Sequence, residues 1–254
     1  MLLAIDVGNT NSVFSVSKNK KILSEWRCST DGNMTADQYF TWLQQLFSIS
    51  SVNYKDINNV IVSSVVPDSI FNLKLLSKTY FNCTPLIVGS ENCKIPISID
   101  VERGVNVGAD RLVNATAAFQ IIGGDTIVVD FGTATTFDVI KNGIYEGGVI
   151  APGVNLSIKN LSQATALLPL INLKTHQKNY GKNTIEALNA GFVWGYEGLI
   201  NNIIDKIIYR SKIKYKILLT GGYANFFNKM IKKKAIIDQD ITIKGIANAY
   251  KELV

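Results

Sequence analysis

Apolar and polar positions along the chain alternate between short strand-like runs and longer stretches with helical spacing, a pattern that predicts an α/β fold. Residues 2–16 and 21–28 read as strands, the second rich in alternation. Thr35 with Gln38 three positions on is a capping-box pattern, and Phe40, Leu43 and Phe47 follow at helical spacing, with Trp42 packed beside that face. Residues 60–66 form an apolar run fit for a buried strand, stopped by Pro67 and Asp68; a helix over 69–78 and a strand over 85–88 follow. The second half reads similarly: a strand from 126, a hairpin partner over 143–149, a helix near 155–165, and a long helix opened by Asn183 with Glu186 and reaching about residue 208. Gly191, Gly195 and Gly198 lower that helix's intrinsic stability but admit another backbone, and packing within the chain is the expectation. A strand over 215–220 then leads through Gly221 and Gly222 into a helix.

Two of these strands end alike. LAIDVGNTNSV runs from Leu3 to Val13, and TIVVDFGTATTFDVI from Thr126 to Ile140. Both carry Asp-x-Gly, as Asp6-x-Gly8 and Asp130-x-Gly132; Asn9-Thr10 is then matched by Thr133-Ala134, so the small polar residue moves by one place. Gly has no Cβ, so backbone N–H groups in such a turn can approach an anion closely, and the acid can sit near a divalent cation through its water shell. A polar β-hairpin turn explains either loop alone equally well. Their repetition predicts two related halves, 1–118 and 119–254, facing a shared cleft.

Composition narrows the chemistry. With 47 % hydrophobic and 18 % charged residues, the 254-residue chain is globular and can bury a sizeable core. The 26 Lys and Arg against 20 Asp and Glu give a formal +6, which favours acidic ligands without naming one. The basic groups Lys18, Lys20 and Lys21, Lys212, Lys214 and Lys216, and Lys232, Lys233 and Lys234 read as solvated strand faces and, for the last, a helix end. They lack the interleaved Arg and aromatics of a nucleic-acid surface. Cys28, Cys83 and Cys93 show no metal or redox spacing, and His176 is the only histidine, so zinc chemistry and a Ser-His-Asp triad lack material. Unpatterned cysteines, no basic leader and no apolar run of membrane-spanning length predict a soluble, cytoplasmic protein.

Two further stretches complete the candidate chemistry. In GVNVGADRLVNATAAF, from Gly104 to Phe119, Gly108 and Ala109 are small, and Asp110-Arg111 open a helix. An acid there is stabilised by the helix dipole, which is one reading; a base beside an anion receptor for one small ligand is the other. The Thr220-Gly221-Gly222 turn is of the kind that sets backbone beside a nucleotide.

Taken together, Asp6-Val7-Gly8-Asn9-Thr10, Gly108-Ala109-Asp110-Arg111, Asp130-Phe131-Gly132-Thr133, the Gly147 to Gly153 turn, Asn183-Thr184 and Thr220-Gly221-Gly222 resemble type III pantothenate kinase, in family order and over almost the whole chain. The resemblance implies the acetate and sugar kinase/Hsp70/actin fold: two duplicated ribonuclease-H-like (actin-like ATPase) domains with a nucleotide cleft between them, in a homodimer. It implies ATP-dependent phosphorylation of pantothenate, the first step of coenzyme A biosynthesis. Asp6, Val7, Gly8, Asn9, Thr10, Asn11, Ser12 and Val13 would hold ATP phosphates, with Mg²⁺ near Asp6 through water. Asp110 would be the general base; Gly108, Ala109, Asp110, Arg111 and Thr184 would contact pantothenate. Asp130 would bind K⁺ or NH₄⁺, Thr133 would contact ATP, and Gly221 and Gly222 would line its adenosine side. The family's Tyr-x-x-Pro-x-x-Val pattern is broken: counting back from Val107, Gly104 replaces the Pro and Val101 the Tyr, which removes one implied substrate contact. A non-catalytic transcriptional accessory protein, or a kinase or phosphatase of the same fold with another substrate, remain the alternatives.

Overall fold

The computed structural model describes residues 1–19, 21–105, 107–176 and 178–251; Lys20 of the first basic group and Asn106 before the Gly108 turn lie outside them. The chain divides into two units. Unit 1 comprises residues 1–98, 102–121 and 240–254, and unit 2 comprises 99–101 and 122–239. The main division falls between 121 and 122, and the last helix belongs to unit 1.

Unit 1 is built on β1 (Leu2–Val7), β2 (Asn11–Lys18), β3 (Lys21–Ser29), α1 (Ala36–Ile49), β4 (Asn59–Ser64), α2 (Pro67–Phe81) and β5 (Leu86–Ile87), with α3 (Ala109–Ile122) and α7 (Ile241–Lys251). Its sheet has the order β3-β2-β1-β4-β5; β2 runs antiparallel to β1 and β3, whereas β4 runs parallel to β1 and β5. Helices cover both faces, so β1 is apolar on both sides. Leu3, Ile5 and Val7 pack with Tyr39, Leu43, Phe47, Leu73 and Leu76 of α1 and α2. Leu2 and Ala4 pack with Val113, Ile243 and Ile246 of α3 and α7. Period-two alternation puts Asp6 on the α3 face with Leu2 and Ala4. The Thr35–Gln38 capping box forms, and Trp42 packs edge-on against Phe14 beside the buried face of α1.

Unit 2 contains β7 (Thr126–Phe131), β8 (Ala134–Lys141), β9 (Ile144–Pro152), α4 (Val154–Gln163), α5 (Thr184–Ser211), β10 (Lys216–Gly221), α6 (Ala224–Asn228) and β11 (Ala235–Ile237). The short β6 (Ser98–Ile99) borders its sheet, whose order is β6-β9-β8-β7-β10-β11. From β9 onward this matches the first sheet strand for strand, including which neighbours run parallel. The repeat extends to single bonds. Val65 N–H donates to Val7 O at 3.0 Å, and Gly222 N–H donates to Phe131 O at 3.1 Å. Asp6 pairs with Val13 and Asp130 with Thr136, so the second loop is one residue shorter, which accounts for the displaced polar residue.

Two readings of the basic groups need correction. Lys232 to Lys234 do not end a helix; they lead into β11, and Lys232 N–H donates to Asn201 Oδ1 at 2.9 Å. Lys212 and Lys214 are not on a strand either: Lys212 closes α5 in the left-handed region, with φ 57°, and β10 starts only at Lys216. The glycines of α5 also depart from expectation, since nothing lies within 4 Å of where a Cβ would stand at Gly191, Gly195 or Gly198. They face open space rather than another part of the chain. Among the described residues no helix is long and apolar enough to cross a membrane.

Candidate active site

The first loop leaves β1 at the carboxyl edge of the sheet, where parallel α/β sheets place their ligands. Gly8 N–H donates to Asn11 O at 3.0 Å, and Asn9, Thr10 and Asn11 are exposed. Asp6 and Gly8 are half-buried, while Val7 is fully buried. Ser12 and Val13 already belong to β2: Val13 packs against the α3 side of the core, and the buried Ser12 hydroxyl lies 2.9 Å from Thr30 Oγ1. The polar surface of the loop is therefore Asp6 and the tip from Gly8 to Asn11.

The second element of unit 1 is the start of α3. Gly108 O accepts from the N–H groups of Arg111 at 3.1 Å and Leu112 at 3.2 Å, and Asp110 Oδ1 accepts from Arg111 N–H at 2.8 Å. The carboxylate folds back over Gly108 so closely that a Cβ there would stand 2.6 Å from Asp110 Oδ1 and 3.7 Å from Val65 Cγ1. Val65 is the residue bonded to Val7, so Gly108 lies against the strand ends that carry Asp6. A side chain at 108 would push the carboxylate aside from this position. Burial raises the pKa of Asp110 above the ordinary 3.8; the Arg111 N–H bond and then the Arg111 charge oppose the rise. Only the ionised form can accept a proton, so if this carboxylate serves as a base, activity should fall as pH drops through the raised value. A rate profile whose acid limb lies above pH 3.8, and which Asp110→Asn abolishes, is the expected result.

In unit 2, Asp130 stands at the carboxyl end of β7, paired in register with Thr220 of β10. Gly221 adopts φ +83°, and a Cβ built on it would lie 2.6 Å from both Asp130 Oδ1 and Phe131 O. Thr133 is exposed at the tip of the shortened loop, and its carbonyl is packed against Gly153, which precedes α4. Beyond the glycines, Tyr223 donates its phenol hydrogen to Asn155 Oδ1 at 2.5 Å, tying the start of α6 to the start of α4. Neither residue stood out in the sequence, because the pair depends on a contact between distant segments. Thr184 is exposed at the first position of α5, whose Asn183 cap accepts from Glu186 N–H at 2.9 Å. The loop from Asp6 and the Gly108–Arg111 turn thus belong to unit 1, while Asp130, Thr133, Thr184, Gly221 and Gly222 belong to unit 2.

Among the described residues no three His, Cys, Asp or Glu side chains gather as a metal cage. Cys28, Cys83 and Cys93 are free thiols whose pKa values burial pushes up, so they are not poised as nucleophiles.

A Campylobacter jejuni structure assigned to the Baf family of transcriptional activators superposes with a TM-score of 0.60 at 22 % identity, covering 98 % of each chain. A Sinorhizobium meliloti structure assigned as a 2-dehydro-3-deoxygalactonokinase gives 0.58 at 13 % identity, over 99 % of this chain and 96 % of that one. At these identities they establish the fold, that of the actin-like ATPases and sugar kinases. Sequence comparison goes further. The type III pantothenate kinase of Ruegeria sp. is 44 % identical over 252 residues, covering 99 % of this chain and 96 % of its own length. The enzyme of that name from Roseobacter denitrificans is also 44 % identical, covering 99 % and 98 %. The family model for type III pantothenate kinase matches residues 2–206, a span that holds both Asp-x-Gly loops, the Asp110 turn and Thr184 in order, and this chain therefore belongs to the type III pantothenate kinase family.

Proposed function

We propose that the protein transfers the terminal phosphoryl group of ATP to the primary hydroxyl of pantothenate, giving 4′-phosphopantothenate, with Asp110 as general base. The observation that carries this reading is the Asp110 carboxylate itself: half-buried, held by Arg111 N–H over Gly108, and against the strand ends that bear Asp6. Phosphoryl transfer asks for positioning, charge neutralisation and an acceptor for the hydroxyl proton, and needs no covalent nucleophile. Asp110 takes that proton as the hydroxyl oxygen bonds to phosphorus and the bond from phosphorus to the ADP oxygen breaks. Arg111, the next residue, offers a fork of donors to the pantothenate carboxylate.

The donor sets fit the two cations. Asp6 beside an oxygen-rich loop suits Mg²⁺, which is commonly held by one or two carboxylates together with substrate phosphates. Asp130, whose carboxylate stands at the carboxyl end of β7 beside Gly221, offers the anionic oxygen that K⁺ or NH₄⁺ would take. Bound there, the cations would supply positive charge against the phosphates, which the few cationic side chains at these loops leave unbalanced.

A homodimer is part of this reading. Gly191, Gly195 and Gly198 form an open stripe on α5, with Trp194 43 % and Ile185 56 % exposed. In the same unit the strand β9 exposes Val149 and Ile150, the latter at 63 %. A second copy would cover these apolar positions. Purified protein should form ADP only when pantothenate is present, require Mg²⁺, be stimulated by K⁺ or NH₄⁺, and sediment as twice the 27.9 kDa chain. No pantothenate-dependent ADP from folded dimer with both cations present would sink the proposal.

A further inference from the structure

The duplicated sheets allow one loop to be used as a control for the other. In unit 1, β3 pairs with β2 so that Ser29 stands opposite Asn11, and Thr30 is the next residue. In unit 2, β9 pairs with β8 so that Pro152 stands opposite Ala134, and Gly153 is the next residue. Thr30 and Gly153 therefore occupy the same topological place, each beside its own Asp-x-Gly loop. At Gly153 no side chain fits, because a Cβ would lie 2.1 Å from Thr133 O. At Thr30 a hydroxyl is present, and both it and the backbone N–H are engaged by the first loop or its strand.

Thr30 N–H donates to Thr10 O at 3.0 Å, and Thr30 Oγ1 donates to Gly8 O at 2.7 Å. The single hydroxyl hydrogen of Thr30 is thereby used, so the buried Ser12 hydroxyl is the donor in its 2.9 Å bond with Thr30 Oγ1. The result is a relay from Ser12 to Thr30 to the Gly8 carbonyl. No cis peptide occurs here, and a trans peptide holds its C=O and N–H antiparallel. Anchoring the Gly8 and Thr10 carbonyls toward Thr30 turns the Asn9 and Asn11 N–H groups to the opposite side of the turn. A loop whose amides are already oriented loses less freedom when an anion binds.

We propose that Thr30 is a positioning residue for ATP binding, acting through the backbone of Gly8 and Thr10 to present the amides of the first loop to the phosphates. This rests on the reading of residues 6–13 as the phosphate-holding loop. The test compares Thr30→Val, Thr30→Ser and Asp6→Asn by calorimetric binding of Mg-ATP and by steady-state kinetics. Thr30→Val should raise both KM and Kd for Mg-ATP about tenfold, the weight of a lost bond to an otherwise unsatisfied carbonyl, with KM for pantothenate unchanged. Thr30→Ser keeps the hydroxyl and should restore both constants, which a merely structural role for the threonine methyl would not predict. If Thr30→Val binds Mg-ATP normally while Asp6→Asn does not, the positioning role is wrong and the loop reading stands. If both bind normally, the loop reading fails and takes the role of Thr30 with it. Should Thr30→Val fail to fold, Thr30→Ala removes the same hydroxyl and should raise Kd for Mg-ATP in the same direction; an unchanged Kd there overturns the proposal.

Discussion

Asp110→Asn should lower kcat by about 10²–10⁴-fold, the range expected for the loss of a general base. The substitution is nearly isosteric, and the asparagine oxygen can still accept the Arg111 N–H bond that Asp110 Oδ1 now accepts at 2.8 Å. The turn at Gly108 should survive, and KM for pantothenate should move much less than kcat, because the proton is claimed in the transition state rather than in the bound complex. Stability offers an independent check on the same group. A carboxyl whose folded pKa is raised favours the folded state below its unfolded value and loses that contribution as pH rises through the folded value. The asparagine variant should therefore gain stability relative to the parent above that window while losing its activity. A fall in kcat of less than about tenfold would leave Asp110 a positioning residue.

Gly221→Ala is the second large effect. The added Cβ would stand 2.6 Å from Asp130 Oδ1 and from Phe131 O, and alanine would also have to hold φ +83°. Left-handed strain and overpacking together should cost about 2–4 kcal/mol, visible as a lower midpoint in denaturant unfolding. Because the clash falls on the Asp130 carboxylate, the surviving enzyme should also lose its response to K⁺ or NH₄⁺. Gly222→Ala is the matched control, since nothing lies within 4 Å of a Cβ at that position. Equal stability of the two variants would mean that the close approach around Gly221 has no energetic weight.

Much of the fold was legible because its signals are local. Asp-x-Gly at the ends of two apolar strands marked both β1 and β7, and capping patterns at Thr35 and Asn183 placed the starts of α1 and α5. What was not legible depends on distant pairings. The role of Thr30 follows from β3 lying beside β2, and the Asn155–Tyr223 bond from two segments that only the fold brings together. Lys212 was misread because alternate lysines suit a strand, whereas the chain there was leaving a helix through a left-handed cap. The α5 glycines were assigned to internal packing because sequence records that they are small, not what faces them.

The placement of α7 bears on how the chain comes to be folded at all. This last helix supplies Ile243, Ile246 and Ala249 to the cluster that also takes Leu2, Ala4, Ile61 and Val113, and Thr242 Oγ1 donates to Asn114 Oδ1 at 2.7 Å. Unit 1 thus joins β1 to a helix more than two hundred residues further along the chain. Until residues 241–251 emerge, the α3 side of β1 lacks its cover and exposes apolar surface. Unit 2, contained within residues 99–239, has no such dependence and can mature first, so the half that bears Asp110 should be the later of the two to become protease-resistant during synthesis.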